Sequence, residues 1–352
     1  MKLFTCPACT QVLFFENVRC GRCARRLAYL PDHRLLSALD PVPDGAPQTF
    51  VALSPAAHGA RYRLCDNYTR HGVCNWAIPE SDSTVLCAAC RLNEMIPNLS
   101  EAGNLATWQR LEAAKRRLLY TLIELRLPVA PKREDPAGLA FAFKKNLPGD
   151  HAPTGHMDGL VTINISEAEG STREYAREQL GEAYRTLLGH FRHECGHYYW
   201  ARLVERSRWL APFRALFGDE RADYAQAASR HYAAGPPAGW TENFVSAYAS
   251  MHPWEDWAES FAHYLHIVDT LETARYHGLS LVPWLARDSA FGGAEARELR
   301  AADFDALMDA WFPLTIALNN FNRGMGMNDL YPFVLAERAV LKLHFVHEVV
   351  GA

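Results

Sequence analysis

The five residues His193-Glu194-Cys195-Gly196-His197 form an H-E-x-x-H motif within a segment, Arg173 to about Val204, whose pattern predicts one long helix. Residues four apart share one face of an α-helix, so the imidazoles of His193 and His197 can reach the same metal ion. Glu194 then lies beside the metal, where a general base can take a proton from the attacking water. Because the motif is short and also occurs by chance on a polar helix face, the remaining sequence has to support it.

A hydrolytic zinc site needs three protein ligands and one open coordination position. In the extended motif H-E-x-x-H-x-x-G-x-x-H the third ligand follows closely. Here Trp200 and Leu203 occupy the positions of its glycine and its last histidine. The sequence therefore excludes that class of zinc protease, and the third ligand must come from a later segment.

The best source of that ligand is a second predicted helix that begins near Pro253, since proline is favoured in a first helical turn. Glu255, Glu259 and His263 follow at intervals of four residues and form a polar stripe on an otherwise apolar helix. Burying two carboxylates and a histidine is costly unless they have partners, and a metal ion would be such a partner.

These two segments resemble the gluzincins, H-E-x-x-H zinc peptidases whose third ligand is a glutamate on a following helix. The local pattern is most similar to lethal-factor-type toxins, in which a tyrosine stands seven residues before the ligand glutamate, as Tyr248 does before Glu255. The resemblance implies that Glu255 is the third zinc ligand, that Glu259 supports a ligand histidine and that Tyr248 donates to the oxyanion. The alternative stays open that Glu259 is the ligand and Glu255 a carboxylate favoured at a helix N-terminus.

A second resemblance spans nearly the whole chain. The stretches 189–194, 255–259 and 322–326 read Gly-His-Phe-Arg-His-Glu, Glu-Asp-Trp-Ala-Glu and Asn-Arg-Gly-Met-Gly. They are similar to a bacterial family described as putative zinc-binding metallopeptidases with an N-terminal zinc ribbon. The resemblance implies an α+β protein, with a loop-rich double zinc-ribbon module before a mostly helical, zincin-like catalytic domain that contains a small sheet.

Eight of the nine cysteines fall into two sets of four. The first set pairs two C-x-x-C knuckles, which is zinc-ribbon spacing, and the second is spread more widely before its C-x-x-C. The sets are Cys6, Cys9, Cys20 and Cys23, and Cys65, Cys74, Cys87 and Cys90. Four thiolates close a tetrahedral site, so we predict two structural zinc ions besides one catalytic zinc ion. Disulfides, a redox C-x-x-C and an exchange of partners between the two sets are alternatives.

The composition is that of an ordinary globular protein, with 352 residues, 49% hydrophobic and 22% charged. No apolar run approaches the ~18 residues that span a bilayer, so we expect no membrane partner. The net charge of −4 gives no general reason to bind nucleic acid. Residues 1–75 carry nine Lys/Arg against five Asp/Glu, a mild basic bias that a solvated face explains.

We predict three regions: a zinc-ribbon module over residues 1–95, a helical linker over 96–129 and a metallopeptidase domain over 130–352. Within the module, the Pro-, Gly- and Ala-containing stretch 41–60 is interpreted as a linker between two halves. Apolar residues at helical spacing predict a helix over 105–127. Further helices are predicted over 221–232, 304–320 and 332–349.

Two strands are predicted, over 138–144 and 160–165, and the second is interpreted as an edge strand. In zincins the strand before the motif helix commonly borders the cleft, and an extended peptide can add to such an edge. Thr162 and Asn164 are therefore candidate substrate contacts, with an ordinary edge strand as the alternative. Arg323, in the Gly-rich loop 322–329, either holds a substrate carboxylate or caps the loop.

The sequence thus predicts a zinc metallopeptidase that hydrolyses an amide bond of a peptide or protein substrate. One alternative is a protease that the ribbons direct to nucleic-acid-bound proteins, through a weak nucleic-acid contact or a protein partner. Another is a zinc-binding scaffold without turnover. Reduced cysteines and the lack of an apolar signal stretch after Met1 predict a cytoplasmic location.

We expect three zinc ions per chain, because each of the three ligand sets can hold one ion. Elemental analysis of the purified, dialysed protein measures this ratio directly. A ratio of two would indicate that the H-E-x-x-H motif holds no metal.

Overall fold

The computed structural model describes residues 1–43, 48–146, 154–180, 184–279, 281 and 303–352. Contacts between Cα atoms divide the chain into two compact units, Met1–Thr172 and Arg173–Ala352. The strands are β1 (Phe4–Thr5), β2 (Val12–Leu13), β3 (Arg26–Leu30), β4 (Leu35–Pro41), β5 (Thr49–Ala52), β6 (Arg61–Leu64), β7 (Ala77–Pro79), β8 (Asn93–Met95), β9 (Ala140–Lys144), β10 (Gly155–Met157) and β11 (Leu160–Asn164). The helices are α1 (Asp66–Thr69), α2 (Asn104–Glu124), α3 (Gly170–Leu180), α4 (Leu187–Tyr199), α5 (Leu210–Phe217), α6 (Tyr224–Ala234), α7 (Pro253–Tyr276), α8 (Phe304–Gly324) and α9 (Glu337–Gly351). The α+β class is confirmed, with the sheets in the first unit and a helical second unit.

The predicted zinc-ribbon module contains more regular structure than its spacing suggests. Strands β3 to β7 form one antiparallel sheet in which each strand pairs with the next along the chain. Strand β5 lies within stretch 41–60, so the interpretation of that stretch as a linker is wrong. Three of the four residues of β5 are buried, and two of them, Phe50 and Ala52, belong to the apolar core of this sheet.

The two cysteine sets form two separate clusters, and each keeps its four predicted members together. The Sγ–Sγ distances are 3.7 Å for Cys6 and Cys23 and 3.5 Å for Cys9 and Cys20. The corresponding distance is 3.6 Å for Cys74 and Cys87. A tetrahedron with zinc–sulfur bonds of about 2.3 Å has sulfurs about 3.8 Å apart, whereas a disulfide requires about 2.05 Å. The thiolates therefore fit two zinc ions and are too far apart for disulfides.

Helix α2, which corresponds to the predicted helical linker, contributes to the core of the first unit. Trp108, Leu111 and Leu118 are fully buried. The side chains of Glu112 and Lys115 are also fully buried, and they form an ion pair of 2.9 Å. Asn93 of β8 donates to Glu112 over 2.7 Å, which fastens the helix to the sheet beside it.

The second sheet of the first unit has the strand order β10-β11-β9-β8. Strand β8, from the predicted ribbon module, pairs in parallel with β9, from the predicted catalytic domain. This pairing explains why the first compact unit extends to Thr172, past the predicted boundaries at 95 and 129. Strand β11 lies between β10 and β9, so its prediction as an edge strand is wrong.

The segment 173–204 forms two helices rather than one. Helix α3 ends at Leu180 and α4 begins at Leu187. Thr186 precedes α4 in extended conformation, and its hydroxyl oxygen accepts a hydrogen bond from Gly189 N over 3.0 Å. Such a cap satisfies a free N–H of the first turn and favours a new helix start there. A π-helical turn, Trp200–Val204, continues from the end of α4.

In the second unit, α9 packs on α7 through a buried ion pair. Lys342 lies 2.6 Å from Asp256 Oδ2, and both side chains are almost fully buried. Lys342 also donates to Asn243 O over 2.7 Å. Burial raises the pKa of Asp256 and lowers that of Lys342, whereas each charge stabilises the other.

In the described ranges, no helix is long and apolar enough to cross a membrane.

Lys342→Met is expected to lower the free energy of unfolding by about 3–5 kcal/mol, because it leaves the Asp256 carboxylate buried without its cation. Urea denaturation monitored by tryptophan fluorescence measures the change. The matched control is Lys145→Met, which removes a largely exposed pair with Glu101 and should cost about 0–1 kcal/mol. Equal effects of the two variants would contradict a structural role for the buried pair.

Candidate metal centre

Helices α4 and α7 approach each other most closely at Gly196, inside the H-E-x-x-H motif. A Cβ atom at Gly196 would lie 2.9 Å from Ala258 Cα and 3.1 Å from Ala258 O. Trp257 donates its indole N–H to Gly196 O over 2.8 Å, which holds the two helices in register. The glycine therefore brings the histidine face of α4 to the carboxylate face of α7.

The start of α7 is fixed by its own cap. His252 Nδ1 accepts a hydrogen bond from Trp254 N over 3.1 Å, and Pro253 occupies the first helical position. Glu255 therefore lies in the first turn, where the helix dipole favours a carboxylate.

His193, His197 and Glu255 converge on one point. Glu255 Oε2 lies 2.9 Å from His193 Nε2 and 3.5 Å from His197 Nε2. The three ligand atoms all lie within 4.8 Å of one another. Glu255 Oε2 is buried and has no hydrogen-bond donor among the described residues.

Glu259 lies on the other side of the His193 ring. Its Oε1 is 2.7 Å from His193 Nδ1, and its Oε2 accepts from the Ser246 hydroxyl over 2.5 Å. Both oxygens of Glu259 are thus engaged away from the convergence point. This geometry favours Glu255 over Glu259 as the ligand, and it matches the supporting role that the resemblance implies for Glu259.

The polar atoms at this point fit a bound cation. With Nδ1–H directed at Glu259, neutral His193 presents the lone pair of Nε2 to the carboxylate oxygen of Glu255. Two acceptors facing each other repel unless a proton or a metal ion lies between them. Burial alone would lower the pKa of His193, but Glu255 and Glu259 raise it well above its ordinary value. Burial alone would raise the pKa of Glu255, but His197 and His193 hold it well below its ordinary value.

Glu194 follows His193 on α4 and is 8% exposed. No described residue forms a hydrogen bond or an ion pair with its carboxylate, in contrast to Glu255 and Glu259. A carboxylate beside the convergence point that is held by no protein donor remains available to a water molecule.

Tyr248 lies in a 3₁₀ turn before α7, and its ring centroid is 5.8 Å from that of His193. Burial and the charge of Glu255 raise the pKa of its hydroxyl well above the ordinary value. The hydroxyl therefore stays protonated and can donate a hydrogen bond. The structure brings Tyr248 to the same site as the three candidate ligands.

Sequence reasoning missed several residues of the site, of which Tyr224 and Trp254 are the clearest. The Tyr224 hydroxyl donates to Glu255 Oε1 over 2.9 Å. The ring of Trp254 lies against that of His197, with centroids 3.9 Å apart. Trp254 directly precedes Glu255, so the sequence alone could have placed it at the site. Tyr224 precedes Glu255 by 31 residues, and no sequence pattern links the two.

A cavity of about 430 Å³ adjoins this site. Aromatic rings and Leu210 form much of its wall, and two arginines and two glutamates add charge. Its lining is Trp200, Glu205, Leu210, Arg214, Glu220, Arg221, Tyr224, His252 and Trp254. Arg214 is paired with Glu220 over 2.9 Å.

The remaining predicted residues lie elsewhere or have other contacts. Arg323 pairs with Asp329 through two nitrogens, at 2.6 Å and 2.7 Å, which supports its role in capping the loop. Thr162 and Asn164 belong to the first unit, and the Asn164 side chain accepts from Ser166 N over 3.0 Å. Their contact with substrate stays a prediction. His263 Nδ1 lies 2.7 Å from the Tyr331 hydroxyl, as expected for a hydrogen-bonded helix residue.

Comparison with known families agrees with the two kinds of metal cluster. A family model described as "putative zinc-binding metallo-peptidase" matches residues 104–349, well over half of the chain. The chain belongs to this family. A zinc-ribbon domain model matches residues 3–101, which contain both cysteine clusters. The resemblance to the putative zinc-binding metallopeptidases with an N-terminal zinc ribbon is therefore confirmed.

Relatives of similar length occur in mycobacteria. One protein of Mycobacterium bovis and one of Mycobacterium tuberculosis are each 42% identical over 352 residues. The alignment covers 99% of this chain and 95% of each relative. Both relatives are described as uncharacterized proteins. No solved structure matches the chain.

Gly196→Ala is expected to lower the free energy of unfolding by about 1–3 kcal/mol and to weaken zinc binding at the motif. The added Cβ meets backbone atoms of α7, so one helix has to shift. Denaturation and zinc titration measure the two effects. Gly324→Ala is the control, because a Cβ there meets nothing within 4 Å. Unchanged stability and zinc binding in Gly196→Ala would contradict the importance of the close approach.

Proposed function

We propose that the protein is a zinc-dependent peptidase that hydrolyses an amide bond of a peptide or protein substrate. One observation carries the proposal: two imidazole nitrogens converge with a buried carboxylate oxygen that has no hydrogen-bond donor in the described part of the chain. The donor set of two histidines and one glutamate is that of hydrolytic zinc sites, which keep a fourth position open. Family membership supports the same class of activity.

His193, His197 and Glu255 would hold the zinc ion, with Glu259 fixing the tautomer and the orientation of His193. Zinc in such a site supplies a Lewis acid that makes water easier to deprotonate and polarises the scissile carbonyl. A carboxylate bound to the distal nitrogen of a ligand histidine typically contributes 10–100-fold to metal affinity or activity. Ser246 in turn holds Glu259, which keeps this support in place.

Glu194 is proposed as the general base. It takes a proton from the attacking water and later gives it to the leaving amine. Among the residues that the structure describes, none donates a hydrogen bond to its carboxylate, which leaves the carboxylate available for this task. A scaffold that only bound zinc would have no need of this carboxylate, so its presence favours the enzyme over the scaffold.

Tyr248 is proposed to donate a hydrogen bond from its hydroxyl to the oxyanion of the tetrahedral intermediate. Its ring centroid lies 5.8 Å from that of the candidate ligand His193, and such a donor typically contributes about 10²–10³ in rate. The cavity of about 430 Å³ beside Trp254 is proposed to take a side chain of the substrate, because its walls combine aromatic rings with charged groups.

The nine cysteines form no disulfide with one another, which supports the proposed cytoplasmic location.

Glu194→Gln is expected to keep the full zinc content and to lower turnover by at least about 10²-fold, because it removes the base but not a ligand. Turnover is measured as cleavage of a peptide library, read by mass spectrometry, with zinc measured on the same samples. Glu337→Gln, an exposed carboxylate on α9, is the matched control and should change neither quantity.

Glu255→Ala provides the opposite pattern, since it should lose one zinc ion per chain as well as turnover. Cleavage that persists in Glu194→Gln, or that survives removal of zinc by a chelator, would contradict the proposed mechanism. Full zinc occupancy in Glu255→Ala would contradict the ligand assignment.

A further inference from the structure

The two oxygens of the Glu255 carboxylate have different partners, and Tyr224 binds one of them. The tyrosine hydroxyl donates to Oε1 over 2.9 Å. The other oxygen, Oε2, lies 2.9 Å from His193 Nε2. One oxygen therefore accepts from a neutral protein donor while the other faces the imidazoles.

His252 ties the start of α6, which carries Tyr224, to the start of α7, which carries Glu255. Its Nδ1 caps α7 by accepting from Trp254 N, and its Nε2 then carries the proton and donates to Ala222 O over 3.0 Å. Ala222 stands two residues before Tyr224. The two helix starts are thus held together by one imidazole as well as by the hydroxyl–carboxylate bond.

The Tyr224 ring is held in place although it is 41% exposed. Its centroid lies 5.3 Å from that of His252 and 6.2 Å from that of Trp254, both in edge-to-face geometry. Asp223 fixes the first turn of α6 by accepting from Gln226 N over 2.9 Å. The hydroxyl therefore reaches Glu255 from a side chain whose backbone and ring are both fixed.

We infer that Tyr224 is a positioning residue that holds Glu255 as a single-oxygen zinc ligand and so raises the affinity of the site for zinc. The inference rests on the proposed function only through the assignment of the zinc site. A carboxylate that used both oxygens would occupy the coordination position that a hydrolytic site must keep open. A donor on Oε1 opposes that change and fixes the rotation of the carboxylate before the metal arrives.

This role differs from that of Tyr248. Tyr248 is proposed to act on the substrate, so its hydroxyl should matter for turnover and not for zinc binding. Tyr224 acts on a ligand, so its hydroxyl should matter for zinc binding even when no substrate is present. The two hydroxyls also interact with each other, so zinc affinity and turnover are both measured for each variant, and a loss of zinc affinity is expected only when the Tyr224 hydroxyl is removed.

The test compares Tyr224→Phe, Tyr248→Phe and Tyr232→Phe in the full-length protein. Tyr232, on the same helix and 68% exposed, is the matched control. Zinc affinity is measured by competition with a chelator. The zinc held by the cysteine clusters is subtracted with a His193→Ala/His197→Ala variant. Tyr224→Phe keeps the ring and its contacts, and circular dichroism checks the fold of each variant.

Tyr224→Phe should weaken zinc binding at the motif by about 10–100-fold, with turnover largely recovered at saturating zinc. Tyr248→Phe should keep the zinc affinity and lower turnover by about 10²–10³-fold. Tyr232→Phe should resemble the unmodified protein in both respects.

Wild-type zinc affinity in Tyr224→Phe would overturn the inference. So would a loss of turnover at saturating zinc with unchanged affinity, since it would assign the hydroxyl to the substrate. Failure of the proposed function looks different: no variant, nor the wild type, would cleave any peptide. The affinity comparison would still decide the role of Tyr224, because it uses zinc alone.

Discussion

The close approach of α4 to α7 at Gly196 is the constraint on which the metal site depends. A side chain at Gly196 would force the two helices apart, because a Cβ there would already lie 2.9 Å from Ala258 Cα. The Trp257 indole, bonded to Gly196 O, fixes the register. With the helices this close, Glu255 Oε2 lies 2.9 Å from His193 Nε2.

Helix α7 carries several buried charges, and each has its own partner. Glu259 is held by His193 and Ser246, and Asp256 faces Lys342 of α9. Farther along the helix, Asp269 pairs with Arg192 of α4 over 2.6 Å. An unpaired buried charge would destabilise the unit by several kcal/mol, so this pairing is what makes so polar a helix compatible with a packed core. Glu255 Oε2 instead faces the two motif imidazoles, at 2.9 Å from His193 Nε2 and 3.5 Å from His197 Nε2, and this is the candidate metal position.

The sequence was most informative where ligands are close together along the chain. The motif histidines share one helical face and the cysteine pairs share one turn, so their geometry follows from local spacing alone. Glu259 could be placed because it lies one turn from Glu255. Tyr224 could not, since its contact with Glu255 joins two helix starts that only the tertiary fold brings together.

The errors in strand and helix prediction have a similar cause. Strand β11 shows the alternation of an edge strand, but the three-residue strand β10 covers its free side after a tight turn. The stretch 41–60 reads as a linker because it is rich in turn formers, yet its four-residue β5 completes an antiparallel sheet. The Thr186 cap favours a new helix start at α4, whereas the helical periodicity on both sides of it predicts one continuous helix.

The position of the cysteine clusters has a consequence for biosynthesis. All eight thiolate ligands lie between Cys6 and Cys90, within a compact unit that ends at Thr172. All eight of these cysteines are synthesised well before Glu255, and domains generally fold in the order of their synthesis. The two cysteine clusters are therefore complete and able to bind zinc while the rest of the chain is still being made. The set of His193, His197 and Glu255 is complete only after translation has passed Glu255.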